Sequence, residues 1–278
     1  MAILLGATLE AADSIPEKSA SFEIKIEGVV DQELGPVKQN LITSTEFRYS
    51  WQRRGRECTL SVDEARTKVS MDGKEIMNAF LSREKFVYSQ NGQIQEIPIE
   101  MAPDKLKEVL QTYGAPLCRL EVDDNGKELK RTIVAAGAAE IMIKNGAITN
   151  GCMFHPPYPP NDNEWSTKGE MVVGTNGLVT GTLNYKKAPT ADAPHEVVVS
   201  GTLTNDAFMQ PGTNIEHKNI RYVVEGKQVF DAAQQEWISG ERTAKSTYRI
   251  FADGESVGTG AGTLKITFRK LPAKAKAL

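Results

Sequence analysis

Seven Asn-Gly or Asp-Gly dipeptides punctuate this sequence, and five of them lie between strand-like segments with alternating apolar and polar residues. Such dipeptides readily adopt the positive φ angles of the two-residue turns that join antiparallel strands. Period-two alternation is typical of a strand with one buried and one solvated face. Together these signals predict a mainly β protein made of antiparallel hairpins. These five dipeptides are Asp72-Gly73, Asn91-Gly92, Asn125-Gly126, Asn176-Gly177 and Asp253-Gly254.

The alternation is clearest near the two ends of the chain. Phe22, Ile24 and Ile26 alternate with polar residues in "SFEIKIE", and the same pattern recurs in "EFRYSW" and "TLKITF". We therefore predict two antiparallel meanders that form a curved sheet or half-barrel, with one or two short helices packed on it.

Two segments break the strand rhythm and predict helices. In "APDKLKEVLQTYG", four apolar residues fall on one helical face, and Gly114 follows as a natural stop, which predicts a helix over 103–113. "AAGAAEIMIKNG" is rich in alanine and ends at Asn145-Gly146, which predicts a second helix over 135–145. The apolar stripe of the first helix consists of Leu106, Val109, Leu110 and Tyr113.

The stretch "GCMFHPPYPPNDNEW" divides the strand-like chain, because its four prolines cannot donate backbone hydrogen bonds to a sheet. We interpret it as a stiff connector rather than a docking motif. The predicted organisation is an N-terminal arm or signal-peptide remnant (1–17), a first β meander with both helices (18–150), the connector (151–167), a second β meander (168–271) and a basic tail (272–278).

Charge and cysteine content exclude several functions. The 33 basic and 36 acidic residues give a net charge of −3 without a basic face, so we expect no nucleic-acid partner. No apolar stretch is long enough to span a membrane as a helix, so we expect no transmembrane segment. Three widely spaced cysteines, Cys58, Cys118 and Cys152, do not form a disulfide framework.

Apparent catalytic and cofactor motifs each lack a necessary part. Cys152 and His155 have the spacing of half a zinc site, but no second pair completes it. "VGTGAG" resembles dinucleotide-binding glycines but precedes the strand-like "TLKITF" instead of a helix, so these glycines more plausibly let a strand curve or pass under a bulky neighbour. No Gly-x-Ser-x-Gly motif is present. We therefore expect no catalytic residues, no cofactor and no metal, and a protein that is not an enzyme.

The three tryptophans, Trp51, Trp165 and Trp237, each begin or end a strand-like run. An indole at such a place either caps the core or lines the mouth of a cavity. The tryptophans and the stripe of helix 103–113 are the candidate ligand-binding residues.

Three segments carry a resemblance to a known family: "FHPPYPPNDNEWS", "NGLVTGTLNY" and "VVEGKQVFDAAQQEWISGERTAKSTYRI". They resemble an uncharacterised family of extracytoplasmic bacterial β-rich proteins, many of them secreted or lipoproteins. One departure is Asn163-Glu164, where that family usually carries glycine-aspartate before the tryptophan. More distantly, the chain is similar to half-barrel lipoprotein carriers, in which helices partly plug a curved sheet.

The resemblance implies a cell-envelope location, with helix 103–113 as the plug. The N-terminus leaves this open, because the apolar run from Ala2 to Leu9 is typical either of the end of a secretory signal peptide or of a frayed arm. A true start at Met1 would instead predict a cytoplasmic protein.

Two functional hypotheses remain. The first is a non-enzymatic envelope module that holds an apolar ligand or lipid on a concave sheet. The second is a structural or protein-interaction module whose core is filled by its own side chains. A hydrolase with an unrecognised site is a third, less favoured reading.

Overall fold

The computed structural model describes residues 18–90, 93–123, 128–134, 162–173, 177–188, 195–210, 212–231 and 236–272. In these ranges the chain forms fourteen strands and one α-helix, so the predicted mainly β class is confirmed. The first eight strands are β1 (Lys18–Leu34), β2 (Val37–Arg54), β3 (Glu57–Met71), β4 (Lys74–Ser82), β5 (Lys85–Gln90), β6 (Gln93–Pro98), β7 (Pro116–Val122) and β8 (Glu128–Ile133). The last six are β9 (Glu164–Val173), β10 (Gly177–Lys187), β11 (His195–Met209), β12 (Ile215–Asp231), β13 (Glu236–Ala252) and β14 (Glu255–Lys270).

All fourteen strands belong to one antiparallel sheet. Twelve of them form a continuous hydrogen-bonded path in the order β6-β5-β4-β3-β2-β1-β14-β13-β12-β11-β10-β9. Strands β1 and β14 pair in the middle of this path, from Phe22 opposite Lys270 to Leu34 opposite Gly258. The pairing of the first and last described strands joins the strands of both halves of the chain into one surface.

The sheet divides at β3, and the helix α1 (Asp104–Gln111) lies in the chain between the two branches. Residues 64–71 of β3 pair with β4, whereas residues 57–61 pair with β7, which carries β8. Helix α1 agrees with the predicted helix 103–113, except that Pro103 is its N-cap and not part of its first turn. Gly114 has a φ of +74°, and its N–H donates to the Val62 carbonyl of β3 at 2.7 Å, which attaches the end of the helix to the sheet.

Two predicted hairpin turns are confirmed in detail. Asp72-Gly73 joins β3 to β4 and Asp253-Gly254 joins β13 to β14, and all four residues have positive φ angles. The strands that flank the other three dipeptides also pair antiparallel. The predicted helix 135–145 and residues 151–161 of the predicted connector lie outside the described residues. Among the described helices, none is both long enough and apolar enough to cross a membrane.

One face of the sheet, which we call the inner face, carries the hydrophobic core. Ile24 on β1 lies opposite Phe47 on β2 and Phe268 on β14, and opposite residues of antiparallel strands share a face. All three side chains are buried. From this centre the core continues in both directions, to Leu60 on β3 and to Val199 on β11. The alternating segments of the sequence are therefore explained by one shared apolar face.

Glycines on the inner face allow close backbone contact in the second half of the sheet. A Cβ atom at Gly181 would lie 2.0 Å from the Thr202 carbonyl oxygen, and one at Gly201 would lie 2.3 Å from the Thr182 carbonyl oxygen. No side chain fits at such distances, so β10 and β11 approach each other as only glycine permits. Glycines at such positions let neighbouring strands curve tightly.

Candidate functional site

Four of the seven predicted site residues are deeply buried. Leu110, Tyr113, Trp51 and Trp237 are between 0% and 3% exposed. Leu106, Val109 and Trp165 are partly buried. The structure brings Tyr113, Trp51 and Trp237 into the same core cluster, with Val109 and Trp165 packed against it. That these residues contact a ligand stays a prediction.

Trp51 and Trp237 fill the core. Trp237 packs edge-to-face on Phe230, with ring centroids 5.6 Å apart. Trp51 lies opposite Ala20 on β1 and Leu60 on β3, and its indole N–H is the only buried side-chain nitrogen or oxygen of the described residues without a hydrogen-bond partner. A buried donor without an acceptor costs about 1–3 kcal/mol, so Trp51 stabilises the core by its size and not by its N–H.

Trp165 has a different environment, near the β9 edge of the sheet. Its ring stacks on Tyr185 at 5.0 Å and 3°, and the Lys187 ammonium lies 5.8 Å from the Trp165 ring. On β13, the Arg242 guanidinium donates to the Tyr185 hydroxyl at 3.3 Å. Arg242 is only 2% exposed and crosses over Gly226 to reach this hydroxyl, because a Cβ at Gly226 would lie 2.8 Å from the Arg242 Cγ. Two stacked aromatic rings therefore lie between two cations.

The described residues include a buried thiol, Cys58 on β3, whose reactivity follows from its environment. Burial raises the pKa of the Cys58 thiol to about 11, so it is protonated at neutral pH and is a poor nucleophile. Within the described ranges, no three His, Cys, Asp or Glu side chains are grouped as metal ligands. The spaced pair Cys152 and His155 lies outside those ranges.

The predicted role of the glycines in "VGTGAG" is confirmed. They lie in strand β14, and a Cβ at Gly260 would lie 2.1 Å from the Tyr248 ring, so this ring passes directly over the glycine. Tyr248 thereby reaches β1, where the side-chain amide of Gln32 donates to the Tyr248 hydroxyl at 2.8 Å.

The inner face is not uniformly covered, because its apolar surface continues beyond the buried core onto the ends of β1 to β4. Val30 lies opposite Leu41, Leu41 opposite Met71, and Val69 opposite Met77. Met71 and Met77 are 38% and 42% exposed, and the other three side chains are half-buried. We call these five residues the apolar shelf. Sequence reasoning missed it, although the alternation that continues to Val30 on β1 was a signal for its first member.

A group of aromatic and polar side chains adjoins the apolar shelf, and we call it the aromatic end. It consists of Gln32, Phe208, His217 and Tyr248. His217 stacks on Phe208 at 4.9 Å between centroids and contacts the Tyr248 ring at 5.3 Å. All four side chains are partly exposed. Burial lowers the pKa of His217, so its imidazole is neutral at pH 7.

A polar groove of about 560 Å³ lies behind the aromatic end, lined mainly by residues of the opposite face of the sheet. Asp31 and Glu33 of β1 form part of its wall, and Arg249 lies on β13. Its lining also includes threonine side chains of β13 and β14, and Asn219, which has a φ of +54° at an irregularity of β12. Because of these charges, the groove differs in chemistry from the apolar shelf.

No family model matches the chain, and a search of curated proteins found no similar sequence. The coarse content of the family resemblance, a β-rich chain, agrees with the structure. Among solved structures, the chain is similar to lipovitellin, in a structure concerned with lipid–protein interactions, with 12% identity and a TM-score of 0.44 over 94% of this chain. The chain spans about a quarter, 26%, of that lipovitellin chain.

Two further similarities are to Pseudomonas aeruginosa proteins. OpdQ is 7% identical with a TM-score of 0.23, and the match covers 91% of this chain and 99% of OpdQ. OccK7 (OpdD) is 7% identical with a TM-score of 0.21, covering 93% of this chain and 99% of OccK7. At these scores the similarities carry no argument about function.

Proposed function

We propose that this protein is a non-enzymatic binding module that holds an apolar ligand, such as the acyl or alkyl chain of a lipid, on the inner face of its sheet. The observation that carries the proposal is the apolar shelf. Its five side chains continue the face that elsewhere forms the core, yet two of them are more than a third exposed. The cell-envelope location that the family resemblance implies belongs to the same proposal.

The shelf has the properties that an alkyl chain requires. Its members belong to four neighbouring strands, which lie about 4.8 Å apart, so the apolar strip extends over about 15 Å. Burial of apolar surface contributes about 25 cal/mol per Å², so a chain laid along this strip would gain several kcal/mol. Thr43 and Gly28, which share the face between these side chains, are uncharged, and the nearest cation of this face is exposed Lys74, opposite Met71 at the hairpin end of the shelf.

The ligand site therefore differs from the one expected between helix 103–113 and the sheet. Leu110 and Tyr113 at that place are 0% and 2% exposed, so a ligand there would have to displace the helix. The shelf requires no such displacement.

A self-filled core is the second candidate, and the low exposure of the central side chains favours it. In that case the shelf, with exposed Ile76 and Ile94 on β4 and β6, would contact a protein partner. The two candidates differ in what purified protein binds without any partner.

Displacement of a fluorescent fatty-acid probe tests the proposal, together with native mass spectrometry of protein purified without detergent. We expect saturable binding of the probe, with one or a few lipid molecules retained in the mass spectrum. Absence of both would contradict ligand binding and would favour the protein-interaction candidate.

Neighbouring residues on opposite faces of β2 provide matched variants. Leu41 belongs to the shelf, whereas Ile42 is 44% exposed on the outer face. We expect Leu41→Asp to weaken probe binding at least about tenfold, because a buried charge without a partner costs several kcal/mol. Ile42→Asp should bind like the wild type. Met77→Asp, at a more exposed shelf position, repeats the test if Leu41→Asp does not fold.

A further inference from the structure

The aromatic end has an uncommon combination of accessibility and unused hydrogen-bonding groups. The Tyr248 hydroxyl accepts from Gln32, and its own O–H has no acceptor within the described part of the chain. In the same ranges the His217 imidazole makes ring contacts but no hydrogen bond. A neutral imidazole has one donor and one acceptor nitrogen, so this end of the inner face presents both functions.

The aromatic end also adjoins the apolar shelf directly. Gln32 follows Val30 by two residues on β1, so both side chains lie on the inner face about 7 Å apart. Tyr248 reaches Gln32 across Gly260, where no side chain intervenes. A chain lying on the shelf would therefore place its first polar group beside Tyr248 and His217.

The charged groups nearest to this end alternate onto the opposite face. Asp31 and Glu33 flank Gln32, and the Lys38 ammonium contacts Glu33 at 2.8 Å. Glu216 and Lys218 flank His217 and pair with each other at 2.8 Å. On the inner face itself, His217 lies opposite Ile250 and Phe208, which are uncharged. No cation among these inner-face residues is available to neutralise an anionic head group.

From this arrangement we infer that the ligand is a single-chain lipid with an uncharged hydroxyl head group, which hydrogen-bonds to Tyr248 and His217 while its chain lies on the apolar shelf. This inference rests on the proposed function and adds the chemical class of the ligand. A hydroxyl both donates and accepts, as the two side chains do, whereas a carboxylate only accepts and a quaternary ammonium does neither.

The test compares three twelve-carbon ligands as competitors of a fluorescent probe at pH 7: dodecanol, dodecanoate and dodecyltrimethylammonium. Dodecanol leaves water more readily than the two ions, so the affinities of different ligands are not compared directly. For each ligand, the comparison is the ratio of its affinity for the wild type to its affinity for the variant. We expect Tyr248→Phe to weaken dodecanol about 2- to 10-fold, the loss of one hydrogen bond, and to leave dodecyltrimethylammonium unchanged, because a quaternary ammonium cannot accept the Tyr248 O–H.

Tyr222→Phe is the control, because Tyr222 is a half-buried tyrosine of the same face that lies opposite Ser246 and outside the aromatic end. It should leave all three affinities unchanged. His217→Phe should repeat the Tyr248→Phe result, which keeps the test decisive if one variant does not fold.

An equal effect of Tyr248→Phe on all three ligands, or no effect, would overturn the hydroxyl inference while ligand binding itself stands. Tightest binding of the cationic ligand, with loss on Asp31→Asn, would also overturn it. If no ligand displaces the probe and the probe itself does not bind, the proposed function fails as well.

Discussion

Strands β10–β12 and strands β2–β4 share the same alternation, yet their inner faces differ in solvent exposure where β2–β4 carry the shelf. Val179, Leu183 and Leu203 in the first region are at most 1% exposed, whereas Met71 and Met77 in the second are 38% and 42% exposed. Each of β10, β11 and β12 has a glycine on the inner face, and β2, β3 and β4 contain none. Alternation therefore decides which face is apolar. Side chains alone cover that face around Trp51 and Leu60 on β2 and β3, and we infer that close strand approach at glycine adds to its closure on β10–β12.

The largest expected difference is in the free energy of unfolding when apolar side chains are truncated. Leu203→Ala should cost about 2–5 kcal/mol, because it leaves a cavity in a closed core. Met77→Ala should change stability by no more than about 0.5 kcal/mol, because Met77 is already exposed. Urea unfolding of both variants measures the difference. Equal losses would mean that the shelf is as well packed as the core.

Substitution of glycines in this region should give the next largest loss in the free energy of unfolding. Gly181→Ala should cost about 2–3 kcal/mol, because the new methyl group would meet a backbone carbonyl at 2.0 Å. Gly169 lies opposite Gly181 on β9, but there a Cβ meets only the side chains of Leu203 and Leu183, which can shift. Gly169→Ala should therefore cost less, about 1 kcal/mol. If both variants were equally stable, close backbone approach would not explain the curvature.

A smaller effect on stability comes from pH, because the buried start of β3 holds an ionisable group, Cys58, whereas the five shelf residues have none. The pKa of Cys58 rises from 9.0 to about 11 on folding, so the folded state holds its proton in a range where the unfolded state loses it. Stability should thus fall as pH rises from 9 towards 11, by an amount on the order of 1 kcal/mol between pH 9 and pH 10. Denaturant titrations at both pH values, on wild type and Cys58→Ala, measure it. An unchanged slope in Cys58→Ala would refute this assignment.

The smallest expected change in stability is that of Trp51→Phe. Trp51→Phe loses packing but also removes a buried N–H that has no acceptor, so the two terms offset and stability should change by less than about 1 kcal/mol. Trp237→Phe, in the same core, removes similar volume without that compensation and should cost about 2 kcal/mol. Thermal unfolding of the two variants measures the difference. A larger loss of stability in Trp51→Phe than in Trp237→Phe would mean that the Trp51 N–H has a hydrogen-bond acceptor.

Local patterns in the sequence predicted local structure well. The turns at Asp72 and Asp253, the alternation around Ile24 and helix α1 each depend on a few neighbouring residues, and each agrees with the structure. The pairing of β1 with β14 could not be predicted from local patterns, because the two strands lie at opposite ends of the chain. It brings together Glu23 and Arg269, whose ion pair at 2.8 Å joins residues 246 apart in the chain.

The candidate site was harder to predict, because it depends on register and not on residue type. Between β3 and β4 the register shifts, so that Val69 faces Met77 while Ser70 faces Glu75, and Ile76 is left as the extra residue of a bulge. Such a bulge changes which later residues share the inner face. Arg242 is a second case, because its charge suggests solvent, and only the glycine at 226 allows it to cross the inner face to Tyr185.

The most direct test of the account is photolabelling with a long-chain alcohol that carries a diazirine on its alkyl chain, followed by peptide mapping. We predict that labels concentrate on shelf residues such as Leu41, Val69 and Met77 and that an excess of unlabelled dodecanol removes them. Labelling spread over the outer face around Ile42, or labelling that dodecanol does not reduce, would contradict an open apolar end on the inner face.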